Sequence, residues 1–157
     1  MCQHHTFMQL AIEQSFQSIH LNQGGPFGAI VVKDNQVVGK GSNAVTSTND
    51  PTAHAEVMAI REACKTLGTF QLQGCILYTS CEPCPMCLGA IYWARPDKVY
   101  YANTRDDAAS IGFDDNFIYQ EIGLSIPERK IPFEQIGRNE ALAIFEEWQK
   151  KPDKVAY

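Results

Sequence analysis

Positive charge is in short supply along this chain: 13 Lys and Arg stand against 18 Asp and Glu, a net charge of −5 over 157 residues. A protein that grips a phosphate backbone normally carries a basic face, so this balance disfavours a nucleic-acid partner and leaves small neutral molecules open. No apolar run reaches the roughly 20 residues needed to cross a bilayer, which argues against a membrane partner. Met1-Cys2-Gln3-His4-His5 lacks the basic and apolar regions of a secretory leader, so a cytoplasmic protein is expected. Repeats and low-complexity stretches are missing as well. What is there, 45% hydrophobic and 20% charged residues, is the balance of a globular chain. Its length suits one domain, residues 1–157, with one core.

Histidine is sparse, and three of the four read as solvated or capping residues: His4, His5 and His20. Cysteine is more plentiful, with six. In a chain without a secretory leader the close spacing of Cys81, Cys84 and Cys87 points to metal rather than disulfides. Cys64, among the apolar positions of a helix, and Cys75, opening a strand, read as packing residues.

Phe7–Ile19 has helical periodicity. Asn22-Gln23-Gly24-Gly25-Pro26 breaks it, and two strands, Phe27–Lys33 and Gln36–Gly41, form a hairpin around Asp34-Asn35. A helix over His54–Leu67 ends at Gly68. A strand follows at Cys75–Thr79, then a helix from Pro83 or Cys84 to about Ala94, then a strand at Asp97–Tyr101. This alternation predicts an α/β sheet with helices packed on it. Further on, Phe117–Glu121 reads as helix, Lys130–Phe133 as strand and Asn139–Lys150 as helix.

Two short motifs carry chemistry. His54-Ala55-Glu56 supplies a nitrogen ligand and a carboxylate; Pro83-Cys84-Pro85-Met86-Cys87 supplies two sulfurs at i and i+3 on one helical face. Prolines suit a helix start, and a thiolate there is favoured by the helix dipole and unpaired N–H groups. His54, Cys84 and Cys87 make a nitrogen–sulfur set suited to zinc, with the fourth position open to water, as in catalytic sites. Zinc lowers the pKa of such a water from ~15.7 to roughly 7. Glu56, two residues from His54, is placed to work beside the metal and to move protons. Such a site suits hydrolytic removal of ammonia from an amidine-like carbon. Cys81 leaves an alternative open: as a fourth ligand it would make the zinc structural, and otherwise it is a packed thiol. An iron–sulfur run would need a fourth cysteine where Ile91 stands. Glu82 reads as a carboxylate at a helix N-terminus.

The pattern H-x-E … P-C-x-x-C is the signature of nucleobase zinc deaminases, and the chain resembles the cytidine deaminase superfamily. Gly25-Pro26-Phe27-Gly28-Ala29, Asn49–Glu56, Thr79–Cys87, Ala94-Arg95-Pro96 and Gly112-Phe113-Asp114-Asp115 resemble its bacterial guanine deaminase branch. The resemblance implies a three-layer α-β-α fold around a five-stranded mixed sheet. It implies one zinc ion held by His54, Cys84 and Cys87, with Glu56 as proton shuttle and Cys81 outside the ligand set. It implies that Asn43 bonds the purine edge, Phe27 packs on the base and Ala55 lines the substrate. Asp115 would contact the guanine amino group and help move protons to the leaving ammonia; by composition alone it reads equally as a turn or cap aspartate. The implied reaction is guanine plus water giving xanthine and ammonia, by attack of zinc-activated hydroxide on C2. The relatives are homodimers that exchange the C-terminal segment, so that Tyr157 would close a site. A tail with no fixed structure is the other reading of that segment.

The rivals are a tRNA adenosine deaminase, which shares both motifs, another small-base or aminotriazine deaminase, and a non-catalytic zinc module. The acidic balance and Asp114-Asp115 speak against an RNA strand.

Overall fold

The computed structural model describes residues 3–157, which fall into two compact units, one reaching to Asp115 and the other Asn116–Tyr157. The first contains α1 (Gln3–His20), β1 (Gly28–Lys33), β2 (Gln36–Ser42), α2 (Val45–Thr48), α3 (Ala55–Leu67), β3 (Cys75–Cys81), α4 (Pro85–Ala94), β4 (Lys98–Asn103) and α5 (Arg105–Ser110). Among the described residues, no helix is long and apolar enough to cross a membrane.

The sheet is mixed, in the order β2-β1-β3-β4: β1 runs antiparallel to β2 and β3, and β3 runs parallel to β4. The β1–β2 hairpin closes through Asp34 and Asn35, both at positive φ, the backbone that a tight two-residue turn requires and that Asn and Asp tolerate. Side chains alternate across β1. Ala29 and Val31 join Leu77 under α3 and α4, while Ile30 and Val32 join Tyr78 under α1. Helices therefore cover both faces, giving the expected α-β-α layering.

The packing of α3 on β2 positions the chemistry. Ala55, Ala59 and Ala63, four residues apart, form a fully buried stripe. Facing them, Gly39 and Gly41 have no room for a side chain: a Cβ on Gly41 would sit 2.1 Å from the Ala55 carbonyl oxygen, and one on Gly39 would sit 2.4 Å from that of Ala59. Small residues on both partners let helix and strand meet at backbone distance, which fixes the height of the α3 N-terminus above the sheet.

Among the described residues four strands form the sheet, where five were expected. The segment expected to supply another strand, Lys130–Phe133, is irregular. Pro132 has no N–H for a ladder. The Lys130 N–H donates instead to the Glu121 carboxylate at 2.8 Å, and the Arg129 guanidinium lies 5.5 Å from the centre of the Phe133 ring.

The second unit contains α6 (Asn116–Gly123), a single 3-10 turn (Ile126–Glu128) and α7 (Arg138–Lys150). None of these three elements buries a residue.

Candidate metal centre and active site

Two helix N-termini carry the metal-binding side chains. His54 is the N-cap of α3 and Cys84 the N-cap of α4, both with extended backbone and neither spending its side chain on a capping bond. The helices thus begin at Ala55 and Pro85, slightly later than their sequences suggest, and the ligands stand at the caps. Cys87, in the first turn of α4, is fully buried. His54 Nδ1 lies 3.5 Å from both Cys84 Sγ and Cys87 Sγ. Tetrahedral zinc, with Zn–S about 2.3 Å and Zn–N about 2.0–2.1 Å, spaces its nitrogen and sulfur ligands about 3.5 Å apart. The three residues form a group able to hold a metal ion, with all ligand atoms within 4.8 Å of one another.

The protonation of the sulfurs fits the same reading. Cys84 is drawn down to about 4, first by the hydrogen bond from Cys87 and then by His54. Cys87 is pushed up, chiefly by that same bond to Cys84 and by burial. Alone, the pair carries one negative charge; two thiolates this close call for a cation. His54 is raised, chiefly by its bond to Cys84.

Glu56 is 6% exposed, with Oε2 3.4 Å from Cys87 Sγ, and burial pushes its carboxyl above the usual range. Cys81 does not join the cluster. Its thiol donates to the Thr104 carbonyl at 3.5 Å and burial pushes it up to about 11, so the packed-thiol reading holds. Cys64 and Cys75 pack in the core, as expected. The Glu82 carboxylate accepts from the N–H of Arg105 at 3.2 Å, so it serves the N-terminus of α5 and not that of α4. His4, expected to be solvated or capping, shares a 2.7 Å hydrogen bond with the Tyr78 hydroxyl and lies tilted against the Tyr100 ring, with centroids 4.6 Å apart.

A cleft of about 580 Å³ opens beside His54, with Asn43, Gly25, Phe27 and Phe113 in its walls. Asn43 is 4% exposed, and its side-chain oxygen accepts the N–H groups of Gly25 and Val45, each at 3.2 Å. With the oxygen tied to the backbone, the amide has only its N–H donors left to offer. Gly24 must stay bare here, since a Cβ would fall 2.0 Å from Asn43 Oδ1. Phe27 meets Phe113 edge to face, with centroids 4.9 Å apart at 88°. Phe113 is a wall that periodicity does not single out; its place two residues before Asp115 is the one signal for it.

Asp115 is half-buried. Burial raises its carboxyl, and the Cys84 charge raises it further, so it lies within electrostatic reach of the cluster. Ala55 is fully buried, with its side chain in the core, and its main-chain N–H is one of those at the first turn of α3 that the helix itself leaves without a partner. Tyr157 ends the second unit and is exposed.

The sheet, the cluster and the buried carboxylate define a zinc-dependent deaminase. The profile of the cytidine and deoxycytidylate deaminase zinc-binding region matches residues 1–103, and the chain belongs to that family. It is 55% identical over 154 residues to the guanine deaminase of Bacillus subtilis (strain 168), a match covering 98% of this chain and 99% of that protein. The X-ray structure of guanine deaminase from Bacillus subtilis matches with a TM-score of 0.95 over 98% of each chain. The guanine deaminase of Nitrosomonas europaea is 34% identical, with a TM-score of 0.66 over 69% of this chain and 63% of that one. The tRNA-specific adenosine deaminase of Aquifex aeolicus (strain VF5) is 41% identical over 96 residues, 61% of this chain and 63% of that protein.

Proposed function

We propose that the protein deaminates guanine, giving xanthine and ammonia. The observation that carries the choice of base is the 55% identity to a guanine deaminase over 98% of the chain. Zinc, held by His54, Cys84 and Cys87, supplies Lewis acidity that makes a water molecule acidic near neutral pH. Glu56 takes the proton of that water and delivers it to N3 as oxygen adds to C2. The remaining proton of the added hydroxyl then passes to the amine, C2 returns to a planar carbonyl carbon, and ammonia leaves. Glu56 is buried beside the cluster, as such a shuttle requires.

Asn43 presents N–H donors, which suit the O6 and N7 acceptors of the purine. Phe27 and Phe113 stand at right angles, so a flat base lying on one is bounded by the other. The Ala55 N–H completes the edge contacts. Asp115 accepts from the 2-amino group and passes a proton to the leaving ammonia. The net charge of −5 supports a free base over an RNA strand. None of the five described cysteines is tied up in a disulfide, which suits a cytoplasmic enzyme.

The working form is a homodimer in which residues 116–157 are exchanged and Tyr157 closes the partner's site; with that exchange the 157 residues act as one deaminase domain. Supporting this, the second unit exposes Ile131, Ile136, Ile144 and Phe145 and has no buried core of its own.

Ammonia release from a panel of guanine, adenine, cytosine, aminotriazines and a tRNA anticodon stem-loop tests the reading. Guanine is expected to lead the panel; a preference for the stem-loop adenosine would overturn it. Glu56→Ala should keep its zinc by metal analysis and lose about 10²–10⁴-fold in kcat. A zinc-loaded Glu56→Ala enzyme at full rate would remove Glu56 from the chemistry.

A further inference from the structure

Ser18 lies in the last turn of α1, outside every motif, and is fully buried. A serine inside a helix usually bonds back to its own preceding turn, as Ser15 does to the Ile12 carbonyl at 2.6 Å. Ser18 does not. Its single hydroxyl proton is shared between the main-chain carbonyls of Gly25, at 2.8 Å, and of Asn43, at 2.7 Å. These residues bond each other through the Gly25 N–H and Asn43 Oδ1. A closed polar triangle results, one corner of which is the Asn43 side chain in the wall of the cleft.

The surrounding main chain hangs from the same point. The Ser18 carbonyl accepts from Gln23 N–H at 2.9 Å, and the Gln23 carbonyl accepts from Ser47 N–H at 3.0 Å and Thr46 Oγ1 at 2.9 Å. The Asn43 N–H donates to the Phe27 carbonyl at 3.0 Å, tying in the aromatic wall just before β1. The two walls of the cleft, 24–27 and 43–46, are thus joined to each other and to the end of α1, with the Ser18 hydroxyl bridging them.

We infer that Ser18 is a positioning residue for base recognition: its hydroxyl fixes the backbone of Gly25 and Asn43 so that the Asn43 amide holds its oxygen inward and its N–H donors toward the substrate. This rests on the proposed reading of Asn43 as the residue that bonds the base. Without the hydroxyl, the Asn43 carbonyl loses a buried donor, the loop shifts to recover one, and the amide loses its fixed angle. The metal cluster, held by α3 and α4, stays as it is. The loss falls on substrate binding.

A double-mutant cycle on the zinc enzyme tests this, run on whichever base the wild type deaminates fastest. Ser18→Ala should keep full zinc content and lower kcat/KM about tenfold, mainly through KM, the scale of one hydrogen bond. In an Asn43→Ala background the same change should cost nothing further. A structural role would cost the same factor in both backgrounds, and that result overturns the inference. So does a Ser18→Ala enzyme within twofold of wild type. Failure of the underlying reading is separate: Asn43→Ala alone would then leave kcat/KM unchanged.

Discussion

At the scale of single residues, the site is built on the difference between what a side chain could do and what its neighbours leave it to do. Asn43 can donate and accept; two backbone N–H groups occupy its oxygen, so it faces the cleft as a donor. Asn43→Asp separates the two jobs. A carboxylate still accepts from Gly25 and Val45, so the loop keeps its anchor, but the oxygen that replaces the amide nitrogen now opposes an acceptor on the purine. We expect kcat/KM for guanine to fall by about 10²-fold or more while the melting temperature stays close to wild type. Steady-state kinetics beside a thermal melt measures both. Equal losses in stability and activity would show that Asn43 matters only as a loop anchor.

At the scale of elements, the contact between α3 and β2 sets the metal ligand. Gly41 faces the Ala55 carbonyl, next to His54 and Glu56, whereas Gly39 faces the stretch from Ala59 to Ala63, farther down the helix. Either glycine changed to alanine puts a Cβ against helix backbone, which cannot yield as a flexible side chain would. Both variants should lose roughly 1–3 kcal/mol of stability. Only Gly41→Ala should also weaken zinc, because the shift falls at the ligand-bearing end. Urea unfolding with a chelator titration reads the two effects, and equal zinc affinity in both variants would refute the gradient. Much at this scale was legible in the chain. Local periodicity marks α1, α3 and the hairpin, and His54, Glu56, Cys84 and Cys87 stand out because ligand spacing is short-range. The capping box that opens α5, Thr104 with Asp107, is also written locally, although the helix is too short for periodicity to mark. Ser18 is not legible, since its bridging role needs the Asn43 carbonyl 25 residues on, and Phe113 is marked only by its place in the Gly112–Asp115 motif, its role as a wall coming from Phe27 far along the chain. The expected fifth strand shows the opposite error: Ile131 and Phe133 look like strand residues, but Pro132 and local side-chain partners decide against a ladder.

At the scale of the whole molecule, the question is what covers the apolar surface of residues 116–157. Ile136 is 88% exposed and Phe145 68%, on a unit whose helices bury nothing. Apolar side chains held open in this number stabilise association, since covering them removes their area from water. The proposed closed two-fold dimer would meet this need on both copies at once. If the segments are exchanged, each site is completed by the other chain's Tyr157, and defects on different chains can complement. Glu56→Ala carries an inactive site but an intact tail; a chain ending at Ala156 carries an intact site but no Tyr157. Each homodimer should be nearly inactive. The mixed dimer, isolated through two different affinity tags, should recover about half the wild-type rate, because the intact site receives the tyrosine of the Glu56→Ala partner. Were each tail to close its own site, no site in the mixed dimer would be complete, and its rate would stay at that of the parents. A particle of single-chain mass by light scattering, active at the same concentration, would rule out exchange altogether.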